Sequence, residues 1–462
     1  MQAQSRFESL QAKDKRYLWH PFTQMRDWAR DEMLVIERAR GVYLEDVRGR
    51  KYLDGVSSLW CNVHGHQVPE LDQAIVDQLG QVAHSTFLGL SNVPAIELAE
   101  KLISIAPPGL SRVFYSDSGS AAVEVAVKMA LQYWRHKGKP SKTKFAKLSL
   151  AYHGDTLGSV SVGGIDLFHE IFHPLLFKTY TVPTPYRYRW PTGDDPEQVR
   201  REALVKMEEV LGAHHEEIAA LIMEPVIQGA GGMIDQPAGY LSGARDLARK
   251  YNVLLIFDEV ATGFGRTGAM FASEHEGITP DLMALAKGIT GGYMPLAATL
   301  ATEAVYEAFL GEYGEYKTFF HGHTYTANPL ACRVALANLA LFEKNRVLEA
   351  LQPKIRFLTE RLKNFSVLET VGDVRQAGFM VGIELVRNKA AKAPFAAEEQ
   401  IGHQVILKAR EKGAIIRPLG AVVVLMPPLA MTIDELGDLL DITYASIIEA
   451  TVKEKGGAYA CV

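Results

Sequence analysis

The sequence predicts an α/β protein with a large domain built on a mostly parallel sheet flanked by helices, and a smaller α+β domain. Three observations carry this reading. Strand-like apolar runs alternate with helical patterns from residue 112 to 300, the pattern of helices covering both faces of a parallel sheet. One run, Val253 to Phe257, is continuously apolar, which suits a strand buried on both faces. Beyond residue 340 the alternation changes to mixed helices and strands. The expected division is therefore 1–65 as an N-terminal arm and hairpin belonging to the smaller domain, 66–340 as the large domain, and 341–462 as the smaller domain.

Residues 1–16 are polar and read as an exposed, partly helical arm. Trp19 to Met25 then brings Trp, His, Pro and Phe together, which can pack the arm on the body. Leu34–Val42 and Tyr43–Asp54 alternate apolar and polar residues, a hairpin signature, and Ser57 to His66 reads as a loop. Helices are expected from Pro69 to Gly80, with Leu71, Ile75, Val76 and Leu79 on one face, and from Pro94 to Ile105, stopped by Pro107 and Pro108. Arg112–Tyr115 reads as a short strand, and Ser116 to Ser120 leads from it into a helix from Ala121 to about His136. Phe145–Leu150 is the next strand, with Tyr152-His-Gly-Asp155 beyond its end. From Pro183 to Pro196, tyrosines and arginines interleave with prolines, which reads as a surface loop without a part in mechanism. Pro196–Ala213 is a helix, Ala219–Met223 a strand closing on Glu224, and Thr318–Pro329 a loop before a helix through Phe342. In the last segment Arg346–Leu362 and Ala397–Lys412 read as helices, Val367–Val386 and Ala414–Pro427 as strands.

Composition narrows the function classes. The 462 residues carry a formal net charge of −5 and a pI near 6.3, which gives no electrostatic case for nucleic acid or a membrane surface as partner. No apolar run approaches the roughly 18 residues that span a bilayer. Cys61, Cys332 and Cys461 are scattered, without disulfide framework or metal spacing, so a reducing compartment and no metal are expected. The first residues lack the apolar core of a signal peptide. A cytoplasmic protein is the expectation.

The chemistry gathers around the apolar run. Asp258 and Glu259 stand at its carboxyl end, where ligands bind in open α/β sheets. Farther on, Lys287 follows the apolar Leu282–Ala286 and precedes Gly288, Gly291 and Gly292. Desolvation there lowers an amine's pKa and frees it as a nucleophile toward a carbonyl carbon. Alone, the aspartate is as readily a helix cap and the lysine a solvated loop residue. Together they are the two protein groups that pyridoxal phosphate needs, one for its pyridinium nitrogen and one for its aldehyde. Ser116-Asp-Ser-Gly-Ser120 offers N–H groups and hydroxyls at a helix start, which suits a phosphate or a plain N-cap; the lysine tips that choice toward the phosphate. Gly263-Phe-Gly265-Arg-Thr-Gly268 matches a dinucleotide fingerprint, but Asp258 to Thr262 separate it from the strand it should follow. An NAD-type oxidoreductase is therefore the weaker alternative.

The stretch Asn252 to Gly292, with NVLLIFDEVATGFGRTG and PDLMALAKGITGG, resembles the cofactor signature of class III (ω-amino acid type) aminotransferases, and the resemblance covers nearly the whole chain. It implies a pyridoxal-phosphate-dependent transferase of fold type I and a homodimer with shared active sites. Asp117-Ser-Gly-Ser120 and Tyr152-His-Gly-Asp155 occur across the class. Trp19-His-Pro-Phe-Thr-Gln-Met25 and Arg417-Pro-Leu-Gly420 resemble the members that convert 8-amino-7-oxononanoate to 7,8-diaminononanoate in biotin biosynthesis.

The resemblance also implies roles. Lys287 is the Schiff-base lysine and proton shuttle, and Asp258 the partner of the ring nitrogen. Ser118, Gly119 and Ser120 hold the phosphate. Tyr152 lies over the ring face beside His153, and Glu224 and Gln228 lie near the ring hydroxyl. His323 and Thr324 reach the phosphate across a dimer interface, with Gly322 beside the substrate. Arg417 binds the substrate carboxylate, unless it serves a structural carboxylate. Trp19 to Met25 forms a lid over the active site, unless it only packs the arm on the body. Two positions depart from the common pattern: Phe22 stands where many members have Tyr, and Leu59-Trp60 where many have Trp-Trp. Both face the amino donor. The donor thus stays open between S-adenosylmethionine, placed first, lysine, and an unrelated ω-amine acting with a different keto acid.

Overall fold

The central run forms the strand Leu254–Asp258, and every residue in it is buried. The structure, a computed structural model, describes residues 2–451; Cys461 lies outside them. Seven strands make the main sheet: β1 (Leu110–Ser116), β2 (Lys144–Leu148), β3 (Thr179–Val182), β4 (Ile218–Met223), β5 (Leu254–Asp258), β6 (Leu282–Leu285) and β7 (Ala297–Thr302). Their order is β1-β7-β6-β5-β4-β2-β3. Neighbours from β6 through β3 pair in parallel, while β7 runs antiparallel to both β6 and β1.

Register decides what meets at the carboxyl edge. Asp258 lies opposite Ala284, so the turn carrying Lys287 leaves β6 level with the end of β5. Phe257 lies opposite Met223, which brings Glu224 to the same edge. The strand β1 ends there too, since Asp117 and Ser118 follow Ser116 and lead into the helix Gly119–His136.

Four details differ from the sequence reading. β3 was not expected, because Thr179-Tyr-Thr-Val182 is short and pairs on one side only. β7 was not singled out, since nothing local in an apolar strand reveals that it runs against its neighbours. On the helix Pro69–Leu79, Leu71 is fully buried, but Val76 and Leu79 are exposed by 59% and 54%. The C-terminal helix Ile433–Thr451 was missed, although Thr432 and Glu435 form the reciprocal bonds of a capping box ahead of it.

A second sheet, in the order β8-β9-β11-β10, is made of β8 (Val371–Ala377), β9 (Met380–Leu385), β10 (Arg417–Leu419) and β11 (Val422–Leu425). The N-terminal strands Ile36–Arg40, Tyr43–Asp46 and Lys51–Asp54 form a third, joined in parallel by Ala414–Ile415 through the pair Leu53 and Ala414. Chain segments far apart in sequence thus share one sheet. The expected surface loop 183–196 is likewise tied in: Tyr188 is buried and Arg189 pairs with Glu384 of β9.

Candidate active site

A cavity of about 480 Å³ opens at the carboxyl edge of the main sheet. Among its lining residues are Trp60, Ser118, Gly119, Ser120, Tyr152, His153, Glu224, Asp258 and Lys287. Nine of the residues singled out in the sequence therefore meet around one space.

Lys287 opens a short 3₁₀ turn, Lys287–Thr290, directly after β6, with φ of 48°. The turn packs tightly: a Cβ on Gly288 would lie 2.9 Å from Phe264. Lys287 Nζ stands 5.4 Å from the centre of the Trp60 ring. Desolvation lowers its pKa, opposed by Asp258 and Glu224, so the pocket favours a neutral amine more than water does.

Asp258 is almost fully buried and receives two hydrogen bonds. The Val260 N–H donates to one oxygen at 3.0 Å, and His153 Nδ1 lies 2.7 Å from the other. An ionised carboxylate accepts from both, which assigns the proton of His153 to Nδ1 and leaves its buried Nε2 without a partner. Glu224 is also buried, with Gly229 N–H at 2.8 Å and Tyr152 N–H at 3.2 Å on its two oxygens. Burial pushes its pKa up to about 7, and nearby Asp258 adds to the rise against His153.

The start of the helix Gly119–His136 faces the same space. Ser118 caps it by accepting from the Ala121 N–H at 3.2 Å, and the helix presents its positive end to the cavity. Only glycine fits at 119, where a Cβ would come within 2.6 Å of Val260. Ser120 Oγ accepts from the Asp155 N–H, joining this turn to the Tyr152–Asp155 segment.

The remaining predicted residues lie outside the lining. Arg417 is partly buried; burial lowers its pKa and Tyr152 is the group that most offsets this. It makes no ion pair among the described residues. Phe22 is 58% exposed and meets Phe168 edge-on at 5.4 Å. Leu59 is 46% exposed, within a run in which Ser57, Ser58, Leu59 and Trp60 all have positive φ. His323 Nδ1 lies 3.0 Å from Asp117, beside the serine turn, while Gly322 and Thr324 are exposed. Gln228 is buried, its Nε2 donating to the Ser149 carbonyl at 3.0 Å and its Oε1 without a partner among the described residues.

Sequence reasoning missed Cys61, Ala261, Thr290 and Tyr293–Leu296 in the lining. Only their closeness in sequence to Trp60, Asp258 and Lys287 signalled them. The fingerprint-like Gly263–Gly268 sits in a turn rather than at a helix start. Its Arg266 is buried, donating to the Asn62 and Pro427 carbonyls, so the segment lacks the helix start that a pyrophosphate needs.

A family model described as Aminotransferase class-III matches residues 25–447. A protein of Geobacter sulfurreducens named adenosylmethionine-8-amino-7-oxononanoate aminotransferase is 57% identical over 435 residues, 94% of this chain and 96% of that one. The crystal structure of the Methanocaldococcus jannaschii protein of the same name has a TM-score of 0.92 at 47% identity, covering 96% of this chain and 100% of that one. An amine transaminase from an uncultivated Pseudomonas species, solved with PLP bound, has a TM-score of 0.90 at 37% identity, covering 94% of this chain and 99% of that one.

The raised Glu224 pKa makes a stability prediction. In the unfolded chain this carboxyl loses its proton near its ordinary value of 4.5, but in the fold only near 7. Its contribution to stability is therefore present below 4.5 and lost as pH rises through 7. Glu224→Gln removes the ionisable group, so the variant should gain on the parent by up to roughly 3 kcal/mol at pH 8 and by little at pH 5. Urea unfolding of the cofactor-free proteins at the two pH values measures the difference.

Proposed function

The chain belongs to the class III aminotransferases, which depend on pyridoxal phosphate, and from that membership we propose that it aminates 8-amino-7-oxononanoate to 7,8-diaminononanoate in biotin biosynthesis. The relatives of that name at 57% and 47% identity support the substrate. The observation that carries it within this chain is Arg417, a partly buried guanidinium close to Tyr152 and without a carboxylate partner among the described residues. A desolvated arginine calls for an anion, and a bidentate carboxylate is its best geometric match.

The residues present fit pyridoxal phosphate. Ser118, Gly119 and Ser120 would hold its phosphate at the helix start, where glycine leaves room and N–H groups point outward. Asp258, hydrogen-bonded by the Val260 N–H and in contact with His153 Nδ1, would face the ring nitrogen, Glu224 the ring hydroxyl, and Tyr152 the ring face. When bound, the cofactor supplies a carbonyl carbon for amines and an electron sink for the carbanion that follows proton loss.

The chain's own groups do the rest. Lys287 Nζ, whose pKa desolvation lowers, would be the group that meets the cofactor's carbonyl carbon, and it is placed to take the substrate proton and return it. Trp60, buried and 5.4 Å from that amine, walls the substrate side and excludes water. Exposed apolar residues, Val76 and Leu79 on one helix with Leu88, Ile96, Phe320 and Tyr325 nearby in sequence to site segments, support a homodimer. In that reading the exposed Thr324 serves the partner's phosphate. Among the described residues no helix is long and apolar enough to cross a membrane, and a cytoplasmic location is part of the proposal.

For the donor, S-adenosylmethionine comes first. Trp60 retains one aromatic face for a sulfonium, and the relatives' names support it. Lysine is second, since Leu59 and Phe22, though off the cavity lining, put apolar side chains where many members carry Trp and Tyr.

Single-turnover half-reactions followed through cofactor absorbance test both ends of the proposal. Conversion by S-adenosylmethionine is expected. Conversion by lysine alone reverses the order of donors, and conversion only by simple amines removes the biotin-pathway assignment. Arg417→Ala should weaken use of the keto acid by about 2 to 5 kcal/mol while the donor half-reaction changes far less. Equal damage to both halves contradicts the role given to Arg417.

A further inference from the structure

Arg375 on β8 is 1% exposed, a charge removed from water that its partners must hold. Both ends of its guanidinium are bound. At one end, Nη1 donates to Glu384 at 2.7 Å, Asp373 at 2.8 Å and the Tyr186 hydroxyl at 2.9 Å. At the other, Nη2 donates to the Gly232 carbonyl at 2.7 Å and Nε to the Met233 carbonyl at 3.0 Å. The turn at 186–189 completes the arrangement: Tyr186 and Arg189 both donate to Glu384, and Arg187 pairs with Asp235 at 2.9 Å. The loop that looked like a surface insertion is a strut between β9 and the segment 224–235.

That segment is a wall of the cavity. The N–H groups of Gly232 and Met233 donate to the Gly229 carbonyl at 3.1 and 2.9 Å, and the Gly229 N–H holds Glu224 at 2.8 Å. A Cβ on Gly229 would lie 3.4 Å from the Trp60 ring and 3.6 Å from the Glu224 carboxylate, so this backbone lies beside both, with no room for a side chain larger than a methyl between them. Nor is there slack behind it, since a Cβ on Gly382 of β9 would come within 3.0 Å of the Gly232 carbonyl.

We propose that Arg375 is a positioning residue for the transamination: by gripping the Gly232 and Met233 carbonyls it fixes the Gly229 turn, and through it the Glu224 carboxyl and the Trp60 ring on the substrate side. This rests on the reading that the cavity is the substrate site. Arg375 does not line the cavity, so its effect is indirect, and displacement of a wall by about 1 Å is enough to cost up to roughly 100-fold in kcat/KM.

The test uses the cofactor-loaded enzyme. Arg375→Lys keeps the charge but not the span between carboxylates and carbonyls. It should raise the KM for the amino acceptor at least about tenfold and change kcat less than about threefold. Tyr186→Phe, which keeps the ring and loses one contact, should shift KM the same way by a smaller factor, and it supplies the test if Arg375→Lys does not fold. Amide exchange without substrate should quicken across 227–235 in both variants and stay unchanged across β5. Unaltered KM with unaltered exchange overturns the proposal, as does activity lost only in proportion to unfolded protein. If the parent enzyme does not aminate the keto acid, the substrate reading fails, and the exchange data still decide the role of Arg375.

Discussion

One desolvated amine facing two buried carboxylates sets the terms for the rest of this molecule. Lys287 leaves β6 into a turn too tight to relax, and Asp258 and Glu224 end the two neighbouring strands. Three ionisable groups in one dry space cost stability unless each is held. Much of the surrounding architecture does that holding. His153 and the Val260 N–H keep Asp258 an acceptor, the Tyr152 and Gly229 N–H groups hold Glu224, and Trp60 faces the amine. Evacuated of water, the same groups act on a bound cofactor with far more electrostatic effect than they would have in solvent.

The parallel register makes this arrangement inexpensive to build. Strands that run the same way end at the same edge, so residues distant in sequence arrive together without long loops. The Asp258–Ala284 and Phe257–Met223 pairings are enough to place Lys287, Asp258 and Glu224 side by side. The antiparallel β7 then closes the sheet against β1, whose end carries the serine turn.

Much of this was legible in the sequence, for identifiable reasons. A buried parallel strand is a run of apolar residues, and a charge at its end stands out, as Asp258 does after Val253–Phe257. An isolated lysine between apolar residues and glycines is equally visible. What was not legible depends on long-range pairing. The direction of β7, the edge strand Thr179–Val182 and the parallel join between Lys51–Asp54 and Ala414–Ile415 leave no local period. The ties of the 183–196 loop were hidden because Tyr186 and Arg189 find their partner Glu384 nearly 200 residues away. Gln228 lies in the same segment as Glu224, and its side chain donates to the Ser149 carbonyl, 79 residues away in the chain, a tie that no local pattern announces. Arg417, Phe22 and Thr324 stand off the cavity lining.

The central claim is that Lys287 carries the cofactor. Borohydride reduction of the cofactor-loaded enzyme, followed by peptide mapping, should find a pyridoxyl group on the peptide containing Lys287, and none on any peptide of Lys287→Ala treated in the same way. A pyridoxyl group on another lysine, or none in the parent protein under conditions where it is active, would contradict the account.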